Sequence, residues 1–359
     1  MTRTDTGTDS STDGDAVTAP GTGTGTGTAP ATGTATTGDG AGTRAAPPRL
    51  VLGTMTFGDT VDEATAGRML DTALDAGVSW IDTANAYVGG VTETMLGRLL
   101  AGRRDDVVLA SKAGMPHADA DGLPPLSAVA LRASVEASLR RLGTDRLDLF
   151  YLHQPDRLTP LDETLSTVAA LVAEGKLLSL GVSNHAAWQI GDVERVADAV
   201  GAPRPIVAQQ LCNLVARRLD DEYLEFASVH GIETMVYNPL GGGLLTGRHR
   251  FDETPADGRF GDSALAEMYT KRYWDAGLFA AIDRLSGVAA EAGVSLVELA
   301  LRWVAHRPEV GSVLLGGSRP EQLTANVEAI AAGPLPVEVV AACDDIGRSL
   351  RGPMPPYAR

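Results

Sequence analysis

From Arg49 onward, short apolar runs alternate regularly with amphipathic stretches. The runs predict eight strands, at Leu50–Met55, Ser79–Thr83, Val107–Lys112, Leu147–His153, Leu177–Ser183, Val207–Leu211, Thr234–Asn238 and Ser312–Gly316. Between them, Asp62–Ala76, Leu131–Leu142, Leu161–Glu174 and Ala187–Val200 carry apolar residues at helical spacing. Several runs, LDLFYLH among them, are apolar almost without a break. That fits strands covered by helices on both faces, as in a parallel sheet. Eight strand–helix units predict an α/β fold of the (β/α)8 TIM barrel type, with an open doubly wound sheet of fewer units as the alternative. Leu245–Lys271 is rich in Gly, Asp and Arg and has no period, so it reads as a long loop after the seventh strand, of the kind that forms lids. Val337–Leu350 predicts a final helix across the barrel, followed by a short Pro-rich tail.

Residues 1–46 differ in kind. They hold 15 Thr and 10 Gly, no aromatic residue, and Val17 as the only β-branched aliphatic. Such a segment cannot bury enough apolar surface to offset the entropy of ordering, which predicts a disordered Thr/Gly-rich tail before a barrel over 47–359. GTGTGTGT at Gly21–Thr28 partly matches a dinucleotide-binding fingerprint, but no strand precedes it and no helix follows, so it reads as low-complexity linker.

Composition narrows the function classes. The 359 residues carry 30 basic and 46 acidic side chains, a net charge of −16, which argues against nucleic acid as a partner. Cys212 and Cys343 stand far apart, in neither a disulfide framework nor a metal-ligand spacing. No apolar run is long enough to span a membrane, and no apolar segment follows the early Arg3 as a secretory signal requires. The expectation is a cytoplasmic protein, monomer or homodimer, acting on a small molecule without a metal.

The polar residues at the strand ends suggest the chemistry. In a barrel of this type the active site lies at the C-terminal ends of the strands. WIDTANAY places Asp82 at the end of the second strand and Tyr87 in the loop beyond it. VVLASKAG ends the third strand with Lys112, and FYLHQP ends the fourth with His153. Successive strands thus deliver a carboxylate, a phenol, an ammonium and an imidazole to one rim. A lysine closing an apolar strand needs a partner, and Asp82 is at hand. The set suits carbonyl reduction, in which charge builds on oxygen and a proton must be supplied. Tyr87 would be the acid, Lys112 the charge that lowers its pKa, Asp82 the partner of Lys112, and His153 the hydrogen-bond donor orienting the carbonyl.

With these motifs the sequence resembles the aldo-keto reductases from about Arg49 to Arg359. The matching segments are VLGTMTFG (Val51–Gly58), WIDTANAY, SKAG (Ser111–Gly114), DLFYLHQPD (Asp148–Asp156), EGKLLSLGVSN (Glu174–Asn184) and YNPLGGGLLTG (Tyr237–Gly247). DLFYLHQPD, the glycine-rich segment, KRYW and the ending PPYAR resemble the aflatoxin-aldehyde and succinic-semialdehyde reductases most. The resemblance implies NADPH as cofactor. Thr56 and Asp82 would be among the cofactor-binding residues, Ser183, Asn184 and Gln209 would hold the carboxamide, and Tyr237 would stack on the ring. Asn238, Pro239, Leu240, Gly242, Leu244 and Gly247 would wrap the pyrophosphate. Gly317, Ser318, Arg319, Gln322 and Asn326 would take the adenosine end, with Arg319 and Arg259 meeting the 2′-phosphate. Ala325 stands where relatives often carry Glu, Leu265 where they tend to have Trp, and Cys212 where they have Tyr. For the substrate, the resemblance implies a distal carboxylate held by Arg272 and Arg359, with Tyr269 nearby and Tyr87 and His153 at the carbonyl. The expected activity is reduction of aldehydes or ketones to alcohols. A sugar or polyketide ketoreductase, or a nucleotide-binding regulatory subunit with little turnover, are the alternatives.

Overall fold

The computed structural model describes residues 47–352; segment 1–46 and Arg359 lie outside it. Each strand is followed by a helix that returns to its neighbour, and the order is uninterrupted. The chain runs β1 (Arg49–Gly53), α1 (Glu63–Asp75), β2 (Trp80–Asp82), α2 (Val91–Leu99), β3 (Val108–Ala113) and α3 (Ala128–Leu142). It continues through β4 (Leu149–Leu152), α4 (Leu161–Ala173), β5 (Leu180–Ser183), α5 (Ala187–Val200), β6 (Val207–Leu211) and α6 (Tyr223–His230). It ends with β7 (Glu233–Tyr237), α7 (Ala266–Tyr273), α8 (Ala276–Glu291), α9 (Leu296–Ala305), β8 (Val310–Leu315), α10 (Pro320–Ala331) and α11 (Val337–Ser349). The eight strands pair in parallel in sequence order, and β8 closes on β1. The chain is a closed (β/α)8 barrel; the open doubly wound sheet is excluded.

Local chemistry explains the element ends. Asp62 caps α1 by accepting from the Thr65 amide at 2.8 Å. Gly143 closes α3 at φ 65°, a left-handed conformation that glycine adopts without strain. Strands β2, β4 and β5 are shorter than the apolar runs predict, because the barrel pairs only the residues inside its ladder. One difference is larger. The end of the segment read as a loop, from Ala266, belongs to a helix that runs on to Tyr273. It spans two turns and buries only Tyr269 and Tyr273, one turn apart, too few positions to reveal a period.

Two apolar clusters divide the interior. Between the sheet and the helices lies the larger, with Leu52, Ile81, Leu109, Phe150, Val182 and Val236 facing out from the strands. Inside the barrel, Val51, Ala110, Leu149, Tyr151, Val207 and Met235 form a separate plug. Lys112 pairs in register with Tyr151, so the lysine sits on top of this plug at the C-terminal rim. None of the helices in the described residues is long and apolar enough to cross a membrane.

Candidate active site

The rim assembles the four residues predicted from the strand ends. Lys112 is fully buried, and its ammonium donates to the Asp82 carboxylate, to the Thr83 carbonyl at 2.8 Å and to the Tyr87 hydroxyl at 3.2 Å. An ammonium has three N–H groups, so all are spent. The phenol oxygen of Tyr87 accepts from Lys112, which leaves its own O–H free to point into the cavity. The His153 ring stands edge-on to Tyr87, with centroids 6.1 Å apart. Its Nδ1 is buried with no hydrogen-bond partner. A buried lone pair without a partner is better tolerated than a buried N–H, so the ring proton belongs on Nε2.

Burial and charge set the protonation states. Burial, helped by the Lys112 charge, drives His153 down to about 3, so the ring is neutral. Burial alone would lower Lys112; the Asp82 carboxylate and Tyr87 outweigh it and hold the ammonium above its ordinary value. Tyr87 corrects a sequence-based expectation. Lys112 does pull its phenol down, but burial pushes the other way more strongly, with Asp82 adding to it, and the phenol ends above 10. The phenol is therefore fully protonated at neutral pH.

A cavity of about 1,210 Å³ opens beside Tyr87 and His153 and extends past β8 to α10. Ser183, Asn184, Gln209 and Tyr237 line its middle. The Asn184 side chain, at φ 59°, donates to the His153 carbonyl at 2.9 Å and accepts from the Tyr237 hydroxyl at 2.7 Å. Asn238 shapes the glycine-rich turn by accepting from the Gly242 amide at 2.6 Å. Gly242 lies at φ 73°, and a Cβ there would come 2.5 Å from the Tyr269 ring. Pro239, Leu240 and Gly242 face the cavity, whereas Leu244 is buried behind the turn and Gly247 is exposed beyond the wall. At the far end Gly317, Ser318, Gln322 and Asn326 line the cavity, and Gln322 accepts from the Ser318 amide at 2.9 Å. Thr56 donates to the Gly317 carbonyl at 3.0 Å, joining the β1 loop to the β8 loop. Arg319 is exposed at the start of α10 and is not part of the wall.

Three guanidinium groups face this cavity: Arg248, Arg259 and Arg272. Among the described residues none forms an ion pair with a carboxylate; Arg259 donates to the Tyr269 hydroxyl, and Arg272 lies over the Tyr269 ring. Asp275, the acid nearest Arg272 in sequence, instead caps α8. Cations without acidic partners beside a glycine-lined channel fit an elongated ligand carrying phosphates. The sequence reading missed Arg248; its place directly after the glycine-rich run was the available signal. It also missed Val88, Met55, Met115 and Met268, which line the cavity with Leu265. Arg359 lies outside the described residues.

Comparison with known proteins agrees with this geometry. The model described as Aldo/keto reductase family matches residues 49–348. The chain is 35% identical over 327 residues to a Rattus norvegicus protein named aflatoxin B1 aldehyde reductase member 2, covering 87% of this chain and 88% of the relative. It is also 35% identical to the Homo sapiens aldo-keto reductase family 7 member A3, covering 88% and 98%. An Arabidopsis thaliana protein named a probable voltage-gated potassium channel subunit beta is 32% identical, covering 80% and 88%.

Proposed function

The chain belongs to the aldo/keto reductase family, and from that premise we propose that it reduces aldehydes to alcohols with NADPH, with Tyr87 as the proton donor. One observation carries this reading: Lys112 spends one of its three N–H groups on the phenol oxygen of Tyr87, so the phenol proton is the one left to give. Held by the channel residues, a reduced nicotinamide would supply the hydride for the carbonyl carbon. Tyr87 gives its proton to the oxygen as charge develops there, and the Lys112 ammonium steadies the resulting phenolate. His153, neutral with its proton on Nε2, donates to the carbonyl oxygen and fixes its approach. Asp82 keeps Lys112 charged.

The channel residues suit the cofactor. Ser183 and Asn184 would meet the carboxamide, and Tyr237 the ring face. The turn from Asn238 and the Arg248 guanidinium would meet the pyrophosphate. Gln322 and Asn326 would take the adenosine end, and Arg259 is the cation best sited for a 2′-phosphate, because Arg319 lies outside the wall. At the substrate end Arg272 offers a free fork for a carboxylate, supporting small anionic aldehydes such as succinic semialdehyde. The wall of Val88, Met55, Met115 and Met268 is apolar and adaptable, which supports tolerance toward the carbonyl's other substituents. The test is NADPH consumption by the purified protein with anionic and neutral aldehydes. Turnover with several aldehydes is expected, and none above background with any aldehyde contradicts the reading.

A further inference from the structure

Tyr87 sits on a loop whose own hydrogen bonds are long. Its amide donates to the Ala84 carbonyl at 3.2 Å, and the Gly89 amide donates to the Ala86 carbonyl at 3.4 Å. Between them Val88 lies at φ 47° and ψ 41°, a left-handed conformation that is costly for a β-branched side chain. Gly90 follows at φ 91° and precedes α2 as its N-cap. A conformation like that of Val88 persists only where surrounding structure over-determines it, and the support here comes from behind the loop. Glu93, in the first turn of α2, is fully buried. One of its carboxylate oxygens accepts from the Ser111 hydroxyl, and the other accepts from Nε of Arg141 at 2.8 Å. Ser111 immediately precedes Lys112 on β3, so their side chains point to opposite faces of the strand. Arg141, from α3, also grips both carboxylate oxygens of Asp119, at 3.0 and 2.7 Å. Its side chain lies against Gly90, where a Cβ would come 2.9 Å from Cδ of Arg141. None of Glu93, Ser111 and Arg141 lines the cavity.

We propose that Glu93 is a positioning residue for Tyr87 and Lys112, locking the loop that carries the phenol to the strand that carries the ammonium. The proposal rests on Tyr87 being the acid. The 3.2 Å contact between phenol oxygen and ammonium joins that loop to β3 inside the rim, and the Glu93–Ser111 bond joins α2, where the loop ends, to β3 on the outer face. A buried carboxylate bonded through both oxygens cannot shift without leaving a partner unmet, so the tie has little slack. The reaction is sensitive to slack, since a misplacement of about 1 Å caused by a remote substitution can cost roughly 10²-fold in rate. Glu93→Gln keeps an oxygen for the Ser111 hydroxyl but turns an NH2 toward Nε of Arg141, where donor meets donor. The grip behind Gly90 is then lost, and Val88 relaxes from its left-handed conformation and carries Tyr87 with it.

The test reads turnover per NADPH-binding site, so that unfolded protein is not counted, with NADPH affinity from fluorescence titration. In Glu93→Gln, kcat per site falls by about tenfold or more, while NADPH Kd and the aldehyde KM change less than about threefold, because the cavity wall is untouched. Ser111→Ala, which deletes one hydroxyl, lowers kcat in the same way by about threefold or more. A double-mutant cycle supplies the readout that a merely structural role would not move. A residue that acts through Tyr87 has nothing further to lose once the phenol is gone, so Glu93→Gln lowers the residual single-turnover rate of Tyr87→Phe by less than about twofold. The proposal is overturned if kcat per site in Glu93→Gln stays within about twofold of wild type, or if KM or NADPH Kd worsens as much as kcat. It is also overturned if Glu93→Gln costs the same factor with and without the phenol. If Glu93→Gln does not fold, Ser111→Ala taken through the same cycle decides alone. Tyr87→Phe by itself separates the two ideas: if it stays active, the reading of Tyr87 fails and the proposal with it; if it is inactive, only the role of Glu93 is at stake.

Discussion

The Lys112 ammonium lies 3.2 Å from the phenol oxygen of Tyr87, and the contact joins the end of β3 to the loop after β2. Because the same ammonium is anchored on Asp82 and on the Thr83 carbonyl, it has no freedom to leave the phenol. On the proposed mechanism the lysine would act less by making Tyr87 a strong acid than by supplying a fixed positive charge where a phenolate would form. Burial keeps the phenol protonated until that moment.

Removing that charge has two separable effects. Lys112→Met leaves Asp82 buried without its counter-ion, and the loss of one partner of a buried pair costs about 3–5 kcal/mol. Turnover should fall by at least the roughly 10²–10⁴-fold range of general acid catalysis even in the fraction that folds. Urea unfolding and single-turnover rates on the same preparation check both.

Cofactor preference tests Arg248, Arg259 and Arg319. Arg259→Ala should weaken NADPH by about 1.5–3 kcal/mol, the size of a charge-assisted hydrogen bond, and NADH much less. Arg248→Ala should weaken both nucleotides alike, since the pyrophosphate is common to them. Arg319→Ala should change less than Arg259→Ala because Arg319 is exposed and off the wall. Titration of both nucleotides against the three variants distinguishes the roles.

Substrate choice tests Arg272. Its guanidinium has no carboxylate partner among the described residues and faces the cavity. Arg272→Ala should raise KM for succinic semialdehyde by roughly tenfold or more and leave a neutral aldehyde of equal length nearly unchanged. Equal changes for both would move the sugar or polyketide ketone ahead as substrate.

Much of this site is visible in the sequence, for a physical reason. Strands buried on both faces tolerate polar residues only where a partner or a function supports them, so Asp82, Lys112 and His153 stand out against WIDT, VVLASKA and LFYLH. Helix α5 and strand β6 match their predicted bounds to the residue, as their apolar positions indicate. What the pattern could not disclose was pairing across the barrel. The Gln209–Asp82 bond depends on closure of the eight strands, and the pKa of Tyr87 on how deeply the closed rim buries it. Arg319 looked suitable because it opens a helix, yet it is exposed and does not line the channel.

Acid stability follows from two neutral histidines. Burial holds His153 at about 3 and His185 at about 4, against 6.5 when unfolded. Between those values the unfolded chain binds more protons, so stability rises with pH. It is fully present above 6.5 and is lost as pH falls toward 4, by about 1.4 kcal/mol per unit for each ring. His185→Asn should flatten the dependence of the urea midpoint on pH between 6.5 and 4. An unchanged slope would assign the acid sensitivity to other groups.

The most direct measurement compares Tyr87→Phe with wild type in NADPH-dependent reduction of an aldehyde, with a hydride isotope effect establishing that chemistry limits the rate. The phenyl ring keeps the packing and lacks only the proton. The account predicts a fall in turnover of at least about 10²–10⁴-fold, with NADPH affinity nearly unchanged. A variant that keeps more than about a tenth of wild-type turnover under those conditions would contradict it, because the proton would then come from another group.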